Sequence, residues 1–203
     1  MRGKGVFICV EGLDGSGKTT QTRLLVRRLR KKGYPAIATA EPSKGKIGKF
    51  IKEHYLHGEK RSSSTVEALL FAADRFEHVQ NEVKPCLDLG KIVVSDRYYY
   101  SSFAYQGAAG LELEWIKNVN SKTIHPDLAL FIDVAPENVV ERLKRKKSVM
   151  ENMDTQKRAR DFYLKFVAEG ELVRIDGNGS KEQIADLLLK EVLSFLGSPW
   201  DQP

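Results

Sequence analysis

Residues 12–19 read Gly12-Leu13-Asp14-Gly15-Ser16-Gly17-Lys18-Thr19 and match the phosphate-binding pattern G-x-x-x-x-G-K-[ST] at every fixed position. The apolar segment before them, Gly5-Val6-Phe7-Ile8-Cys9-Val10, has the length and β-branched content of a buried strand. The segment after them, from Thr19 to Leu29, reads as a helix. Strand, glycine turn and helix together predict a P-loop, in which backbone N–H groups turn inward around a polyphosphate.

The polar residues of this loop have predicted roles. The positive end of the helix dipole attracts phosphates, Lys18 reaches the terminal ones, and the Thr19 hydroxyl holds Mg²⁺. A chance match is expected in roughly one chain of this length per hundred, and the flanking strand and helix make a glycine turn without a ligand rarer still. We therefore predict a nucleoside-triphosphate site at Gly12, Leu13, Asp14, Gly15, Ser16, Gly17, Lys18, Thr19 and Thr20.

Composition bounds the class of protein. At 203 residues, 41% of them hydrophobic and 30% charged, the chain suits one soluble α/β domain with a good core. No apolar run has the length of a bilayer span, and the start, Met1–Lys4, leads directly into the first strand, which predicts a cytoplasmic chain without a signal peptide. Cys9 and Cys86 lack metal-ligand neighbours and are predicted to be buried, reduced thiols.

The net charge of +6 and the pI near 9.2 fit either a nucleic acid or anionic small molecules as partners. The excess is concentrated at 23–32, which lies on the P-loop helix and reads mostly as its solvated face, and at 142–147. The chain carries no helix-turn-helix, zinc-finger or RNA-binding signature. We therefore predict small-molecule partners and no nucleic acid.

Strand-like and helical segments alternate along the chain, which is typical of a parallel sheet with helices on both faces. The predicted strands after the first are Ala36–Ala40, Lys91–Ser95, Leu128–Val134 and Glu171–Ile175. The predicted helices after the first are Lys46–His57, Ser64–Lys84, Tyr98–Gly107, Glu112–Ser121, Glu137–Arg145, Asp154–Glu169 and one that follows Ser180. The pattern predicts a five-stranded α/β fold of the P-loop NTPase type, a single domain over residues 1–203 with a flexible tail at 197–203.

Ligands of such folds bind at the carboxyl ends of the strands. In this chain those ends carry the P-loop and the segments Glu41-Pro42-Ser43-Lys44, Asp96-Arg97 and Asp176-Gly177-Asn178. A purely structural edge is not expected to collect acids, bases and glycines at four turns.

The long helix predicted from Ser64, where Ser64 and Glu67 have capping-box spacing, has two distinct faces. Apolar residues in the rhythm of a buried stripe are Val66, Leu69, Leu70, Ala73 and Phe76. The opposite side carries Phe71, Arg75 and His78. A phenylalanine one turn from an arginine suits a planar heterocycle, because the ring stacks and the guanidinium donates to a carbonyl. The alternative is that Phe71 packs under a loop and Arg75 is a surface charge.

Asp96 and Arg97 directly follow the third predicted strand. An aspartate at this position organises Mg²⁺ and its waters in other P-loop enzymes, and an arginine offers a phosphate a bidentate grip. An ion pair between the two at a helix start is the alternative. One helical face beyond them carries Tyr98, Ser101, Ser102 and Tyr105, and because three consecutive tyrosines cannot point the same way, some are core.

A dense basic run, Arg142-Leu143-Lys144-Arg145-Lys146-Lys147-Ser148, lies late in the chain. As a lid over about residues 142–153, it would bring a cation onto a transferring phosphoryl group and exclude water. The variable positions of the P-loop carry no arginine or further lysine, so Arg142 and Arg145 are the nearest supply of this charge. A solvated loop is the alternative.

The chain resembles the thymidylate kinases, a family of nucleoside-monophosphate kinases, over nearly its whole length. The matching segments are residues 11–21, Glu41-Pro42, Leu69-Leu70-Phe71-Ala72-Ala73-Asp74-Arg75 and the block Asp96-Arg97-Tyr98-Tyr99-Tyr100-Ser101-Ser102-Phe103-Ala104-Tyr105-Gln106-Gly107. The last block is close to diagnostic among P-loop kinases, whereas the P-loop alone is not.

This resemblance implies transfer of the ATP γ-phosphoryl group to dTMP, with Mg²⁺ as cofactor, in a protein that is usually homodimeric. It implies that Asp14 accepts from the 3′-hydroxyl of dTMP, Phe71 stacks on thymine, and Arg75 bonds its 4-oxo group. It implies contacts with the sugar, the base or the acceptor phosphate for Tyr105, Gln106, Ser101 and Arg97. It implies contacts with Mg²⁺ for Thr19 and Asp96, and with the ATP adenine for Asp176 and Asn178. It implies contacts with the transferring phosphoryl group for Arg142 and Arg145.

Two departures from the family pattern are visible. An arginine commonly flanks Glu-Pro, whereas here Ala40 precedes it and Lys44 follows, so Lys44 is the candidate for that phosphate contact, without the bidentate fork. The lid lacks the usual Arg-Gly end, so the contacting cation stays open among Arg142, Arg145 and Lys146.

Two other functions compete with this interpretation. A different small-molecule kinase, acting on another monophosphate or on a nucleoside, would share the P-loop. A GTPase-like switch would need an Asn/Thr-Lys-x-Asp segment after a strand, and the fourth strand ends instead in Asp133-Val134-Ala135-Pro136.

Overall fold

The computed structural model describes residues 5–56, 63–139 and 153–197. Its sheet has five strands: β1 (Val6–Gly12), β2 (Ala36–Ala40), β3 (Ile92–Asp96), β4 (Leu128–Asp133) and β5 (Val173–Asp176). All pairings are parallel and the order is β2-β3-β1-β4-β5, so β1 is central and β2 and β5 lie at the edges. The predicted α/β fold with a five-stranded parallel sheet flanked by helices is confirmed.

The helices are α1 (Lys18–Lys31), α2 (Lys46–Ile51), α3 (Ser64–His78), α4 (Lys84–Asp88), α5 (Tyr99–Ala108), α6 (Leu113–Asn120), α7 (Met153–Ala168) and α8 (Lys181–Leu196). Residues 136–139 are also helical. A π-helical turn, Lys52–Leu56, extends α2, and a second, Val79–Val83, joins α3 to α4. The helix predicted as continuous from Ser64 to Lys84 therefore changes winding at Val79 and continues as far as Asp88, with Pro85 in the first turn of α4.

The strand register brings three chain segments to one edge of the sheet. Val10 of β1 and Ala40 of β2 both lie opposite Asp96, the last residue of β3. The P-loop, the Glu41 turn and Arg97 consequently leave the sheet side by side, although up to about 80 residues separate them along the chain.

The strands are apolar along most of their length because helices cover both faces of the sheet. The three inner strands are covered: Ile8 of β1, Val94 of β3 and Leu130 of β4 are completely buried, as expected for a parallel sheet between helices. The expectation that some of the three consecutive tyrosines are core is confirmed, because Tyr98, Tyr99 and Tyr100 are all buried. Their rings contact each other and Phe7, Phe103 and Phe166.

The predicted buried stripe of α3 is wrong. Val66, Leu69 and Phe76 are 40%, 47% and 37% exposed, and Leu70 and Ala73 are half-buried. The buried residues of the helix are instead Ala68, Ala72, Asp74, Arg75 and His78. The two alanines are small enough for close approach, and the three polar side chains find hydrogen-bond partners inside, so this face is buried without a stripe of large apolar residues.

Helix capping is partly as predicted. Ser180 and Gln183 form a capping box at the start of α8, as their spacing indicates. The cap of α3 is Ser63 rather than Ser64, because the Ser63 hydroxyl accepts from the Val66 N–H at 3.4 Å. Two adjacent serines offer the same chemistry at this end of the helix, and the capping-box spacing to Glu67, which only Ser64 has, indicated the wrong one.

Both cysteines are free thiols, with Cys9 buried, as predicted, and Cys86 only half-buried. Among the described residues, no helix is long and apolar enough to cross a membrane. The basic lid predicted at 142–153, with Arg142 and Arg145, falls outside the described residues except for Met153, and so does the predicted tail beyond Gly197.

Candidate active site

The P-loop turns where two glycines adopt conformations that other residues avoid. Gly17 caps α1 with φ 95°, in the left-handed region. A Cβ on Gly12, whose φ is 152°, would lie 2.8 Å from both the Ile132 carbonyl oxygen and the Ser16 hydroxyl oxygen. No side chain caps α1, so the N–H groups of its first turn are oriented for an anion. The Ser16 hydroxyl is buried and has no hydrogen-bond partner among the described residues.

Lys18 lies inside this turn with only 5% of its surface exposed. Its Nζ donates to the Leu13 carbonyl oxygen at 2.7 Å. Burial lowers the pKa of Lys18 to about 8, and the neighbouring positive charge of Arg97 acts in the same direction. The carboxylates of Asp14, Asp96 and Glu11 oppose this shift. A buried ammonium group held by a carbonyl oxygen at the mouth of the turn is suited to a phosphate.

Thr19 and Asp96 join the P-loop to the end of β3. The Thr19 hydroxyl donates to Asp96 Oδ2 at 2.5 Å, and Asp96 Oδ1 is buried with no hydrogen-bond partner among the described residues. A hydroxyl oxygen beside a carboxylate with a spare oxygen is the hard-oxygen donor set that Mg²⁺ prefers. These two residues therefore fit the predicted magnesium ion.

Arg97 follows β3 with φ 74°, the only positive value outside glycine in the described chain. A conformation of this kind costs roughly 1–3 kcal/mol and persists only where the surroundings impose it. Here the guanidinium forms an ion pair with Asp14, donates to the Ser101 hydroxyl at 2.7 Å, and lies over the Tyr105 ring at 5.2 Å. The Tyr105 hydroxyl in turn accepts from the Asp14 N–H at 2.8 Å. Arg97 thus pairs with Asp14, and not with Asp96 as in the alternative raised from the sequence.

Glu11 is completely buried beneath Arg97. Its carboxylate accepts from the Tyr98 N–H at 2.7 Å, the Ser101 hydroxyl at 2.6 Å and the Tyr163 hydroxyl at 3.2 Å. Burial raises the pKa of Glu11 from 4.5 to about 7, although the Ser101 hydrogen bond and the charge of Arg97 oppose it. Ser101 connects this carboxylate to Arg97, so Glu11 supports the arginine from below.

Replacing Glu11 with Gln is expected to stabilise the protein increasingly as the pH rises. The folded-state pKa of Glu11, about 7, exceeds the unfolded value of 4.5, so its contribution is full below pH 4.5 and is lost as the pH rises through 7. One pKa unit corresponds to about 1.4 kcal/mol. As the pH rises through this range, the unfolding free energy of Glu11→Gln minus that of the wild type should therefore increase by about 3 kcal/mol in total.

Urea denaturation of both proteins at about pH 5 and about pH 8 measures this difference. Glu114→Gln is the matched control, since the Glu114 side chain is 72% exposed on α6. Parallel stability profiles for Glu11→Gln and the wild type would contradict the raised pKa.

Arg75 is fully buried rather than a surface charge, which rules out that alternative. Its Nε donates to Glu41 Oε2 at 2.9 Å, and its Nη2 lies 2.8 Å from the same oxygen. Nη1 donates to Asn120 Oδ1 at 2.5 Å, and Nη2 is 3.3 Å from the Ser102 hydroxyl. The guanidinium also lies 5.3 Å from the centre of the Tyr98 ring. All three nitrogens therefore have a partner, and Nη1, which carries two hydrogens, has one partner among the described residues, Asn120.

The other predicted residues for dTMP differ in exposure. Phe71 is half-buried and lies outside the core cluster. Lys44 is exposed in the turn that follows the cis peptide bond between Glu41 and Pro42. Gln106 is 5% exposed, and its Oε1 has no hydrogen-bond partner in the described part of the chain. An unpartnered buried amide oxygen is a site at which a ligand or water is expected.

The segment predicted to border adenine lies beyond β5, at the other side of the sheet. Asp176 and Asn178 are exposed, and Asp176 Oδ1 accepts from the Asn178 N–H at 3.0 Å and the Asn178 side chain at 2.8 Å. These hydrogen bonds lower the pKa of Asp176. The Gly177 N–H donates to the Asp133 carbonyl oxygen at 2.9 Å, which anchors the segment to β4.

Several residues of the site carry no role in the sequence prediction. Glu11 has a visible signal, because a carboxylate inside an apolar strand is rarely buried without partners. The sequence indicates Glu41 only as part of a strand end, and His78 only as a residue on the same helix face as Arg75. Asn120 and Tyr163 have no signal, since their partners lie 45 and 152 residues away.

Comparisons with known proteins identify the family of this chain. The family model described as Thymidylate kinase matches residues 10–188. Similar curated proteins include a probable thymidylate kinase of Thermococcus gammatolerans, 40% identical over 94% of this chain and 99% of the relative, and a probable thymidylate kinase of Pyrobaculum aerophilum, 41% identical over 93% and 98%. A thymidylate kinase of Caldanaerobacter subterraneus is 36% identical over 97% of this chain and 98% of its own length. The chain belongs to the thymidylate kinase family.

Proposed function

We propose that this chain transfers the γ-phosphoryl group of ATP to dTMP, giving dTDP, at the carboxyl edge of its sheet. Membership in the family carries the reaction and does not favour a different small-molecule kinase. One observation supports the location: the register places the P-loop, Asp96, Arg97 and the turn that holds Arg75 on adjacent strand ends. The phosphates of two nucleotides can therefore meet there in line, and catalysis is mainly positioning and charge stabilisation.

The donor phosphates are assigned to the P-loop, from Gly12 to Thr20. The N–H groups at the start of α1 and the Ser16 hydroxyl face the triphosphate, and Lys18 exchanges the Leu13 carbonyl for phosphate oxygens. A phosphate anion beside Lys18 favours its charged form, so its pKa of about 8 in the free protein rises when ATP binds. Lys18 then stabilises the charge that develops during transfer.

Thr19 and Asp96 are the residues that would hold Mg²⁺, as their oxygen donors indicate. When bound, the ion neutralises charge on the donor phosphates. The hydrogen bond from Thr19 to Asp96 holds both side chains at the mouth of the P-loop.

The acceptor phosphate and sugar are assigned to the cluster around Arg97. Arg97 binds the phosphate through its fork, and Ser101 keeps the guanidinium in place. Asp14 accepts from the 3′-hydroxyl while its backbone N–H stays on Tyr105. Tyr105 crowds the 2′ position and so favours deoxyribose, and Lys44 supplies a second cation near the phosphate.

The thymine base is assigned to Phe71, Arg75 and Gln106. Phe71 stacks on the ring, Arg75 donates to the 4-oxo group, and the Gln106 amide lies near the base. At the far side of ATP, Asp176 and Asn178 border the adenine. Arg142 and Arg145, outside the described residues, are proposed to reach the transferring phosphoryl group.

A substrate panel tests this function directly. With ATP and Mg²⁺, we expect the highest kcat/KM for dTMP, lower values for dUMP, UMP and CMP, and no turnover of thymidine. Release of ADP measured by a coupled assay supplies the rates. Preference for thymidine, or for a ribonucleotide over dTMP, would refute the proposed acceptor.

We also infer that the chain is a homodimer that pairs through α3. Val66, Leu69 and Phe76 form an exposed apolar stripe along this helix, and such patches mark association sites. Leu69→Glu should halve the mass seen by analytical ultracentrifugation, whereas Leu187→Glu, at a 40% exposed position on α8, should not. A monomeric wild-type protein would contradict the interface.

The proposed compartment is the cytoplasm. The free thiols Cys9 and Cys86 suit a reducing environment, and the reaction draws on ATP. Fractionation of cells that express the tagged protein tests this, and recovery outside the cytoplasmic fraction would refute it.

A further inference from the structure

Behind Arg75 lies a second layer of buried polar side chains. His78 is one turn further along α3, and its side chain has no exposed surface. Its Nδ1 lies 3.1 Å from Glu41 Oε1, and its Nε2 lies 2.6 Å from the Thr39 hydroxyl. The chain Thr39–His78–Glu41–Arg75 thus runs from β2 to the fork that is assigned to the base.

The Glu41 carboxylate fixes the direction of the hydrogen bond at Nδ1, and the form of the ring then determines the one at Nε2. A carboxylate only accepts, so the proton on Nδ1 of His78 points at Glu41. In the neutral ring, Nε2 is then the acceptor, and the Thr39 hydroxyl donates to it. The Glu82 carboxylate, 3.8 Å from Nε2, lies on the same side. The imidazole is consequently held at both nitrogens.

Glu41 is held in the same way. One carboxylate oxygen, Oε2, accepts from Arg75, and the other, Oε1, accepts from His78. Without the second contact the carboxylate could rotate about its last bond, and the guanidinium that follows it would tilt. Asn120 and Ser102 hold the two terminal nitrogens of Arg75. The Glu41 side of the fork depends on His78, a residue that does not touch Arg75.

We infer that His78 is a positioning residue for base recognition, which sets the plane of Arg75 by fixing Glu41. This inference rests on the proposed contact between Arg75 and the 4-oxo group of thymine. It extends that contact to specificity: a fixed N–H donor favours the 4-oxo group and rejects a 4-amino group, which presents a donor of its own. A tilted fork loses this discrimination.

Two variants of His78 separate the positioning role from simple packing. Asn places an amide N–H where Nδ1 lies and can keep the hydrogen bond to Glu41. Gln places its amide where Nε2 lies and loses that hydrogen bond. We expect His78→Gln to raise the KM for dTMP about tenfold and to lower the ratio of kcat/KM for dTMP over dCMP about tenfold, as one lost charge-assisted hydrogen bond allows.

The same variant should leave the KM for ATP unchanged, and His78→Asn should stay close to wild type in all three quantities. Equal shifts in both KM values, or equal defects in the two variants, would overturn the inference. If His78→Gln fails to fold, Thr39→Val removes only the hydroxyl that anchors the ring, and a smaller change in the same dTMP-specific direction is expected. An unchanged dTMP-to-dCMP ratio in Thr39→Val would then count against the role.

Arg75→Lys, measured beside these variants, distinguishes two kinds of failure. If it leaves the KM for dTMP unchanged, the base contact itself is wrong and the role of His78 falls with it. If it raises that KM while His78→Gln does not, the base contact stands and only the positioning role is refuted.

Discussion

Replacing Lys18 with Ala is expected to lower kcat by two to three orders of magnitude while leaving the affinity for dTMP largely intact. A group that meets developing charge from a fixed position contributes this much in comparable enzymes. Lys18 has these properties, because it is buried in the P-loop turn and its Nζ is fixed by a hydrogen bond to the Leu13 carbonyl oxygen. Its assigned partner is the donor nucleotide, so dTMP binding should not depend on it.

Rates at saturating ATP and dTMP, together with calorimetric binding of dTMP, measure the two quantities. Lys31→Ala is the matched control, since Lys31 is exposed at the far end of the same helix. Turnover close to wild type in Lys18→Ala would refute the assignment of the P-loop. A parallel loss of dTMP affinity would indicate that the two nucleotide sites are not separate.

The second large effect is expected at Arg75. Arg75→Met alone should destabilise the protein by about 3–5 kcal/mol, because it leaves the buried carboxylate of Glu41 without its cation. This loss would obscure any effect on the substrate. Removing both charges in Arg75→Met/Glu41→Gln should restore most of the stability, since neither partner is then left as a buried charge.

The double variant isolates the contact with the base. We expect its KM for dTMP to be raised about 10- to 100-fold, the loss of a hydrogen bond to a charged group, with the KM for ATP nearly unchanged. Urea denaturation and steady-state kinetics supply the measurements, and the single variant Glu41→Gln shows how much arises from the carboxylate. Equal rises in both KM values would mean that Arg75 supports the fold rather than the base.

Local pattern predicts the framework of this protein well. The P-loop from Gly12 to Thr19 is recognisable because backbone geometry or phosphate chemistry requires a particular residue type at each fixed position. The five strands are recognisable because parallel strands buried on both faces are apolar throughout. The carboxyl ends follow from the strands, so the convergence of the P-loop, Asp96 and Arg97 was predictable as well.

Periodicity failed on α3, for a physical reason. A stripe of large apolar residues normally marks the buried face, but Val66, Leu69 and Phe76 are exposed. The buried face instead carries small and charged residues whose partners come from β2, α5 and α6. A periodicity rule assigns Arg75 and His78 to the surface, because it does not see partners that are distant in the chain.

The exposed stripe and the buried charges of α3 have one common explanation under the proposed function. The exposed face of α3 would be apolar because it binds a second copy of the chain. The buried face would be polar because it carries the contact with the ligand. Under this proposal, the departure of α3 from an ordinary amphipathic helix reflects its function. It can be recognised only in the structure, where Glu41 and Asn120 are seen to hold Arg75.

The tightly held fork of Arg75 also bears on the thermodynamics of substrate capture. A free arginine gives up much of its rotamer entropy when it first grips a ligand. In this protein the Arg75 side chain loses that freedom during folding. Under the proposed contact with thymine, the base would meet a preorganised donor, and binding would not include the entropy cost of ordering it. The conformational entropy of Arg75 would then be lost once, during folding, and not in every catalytic cycle.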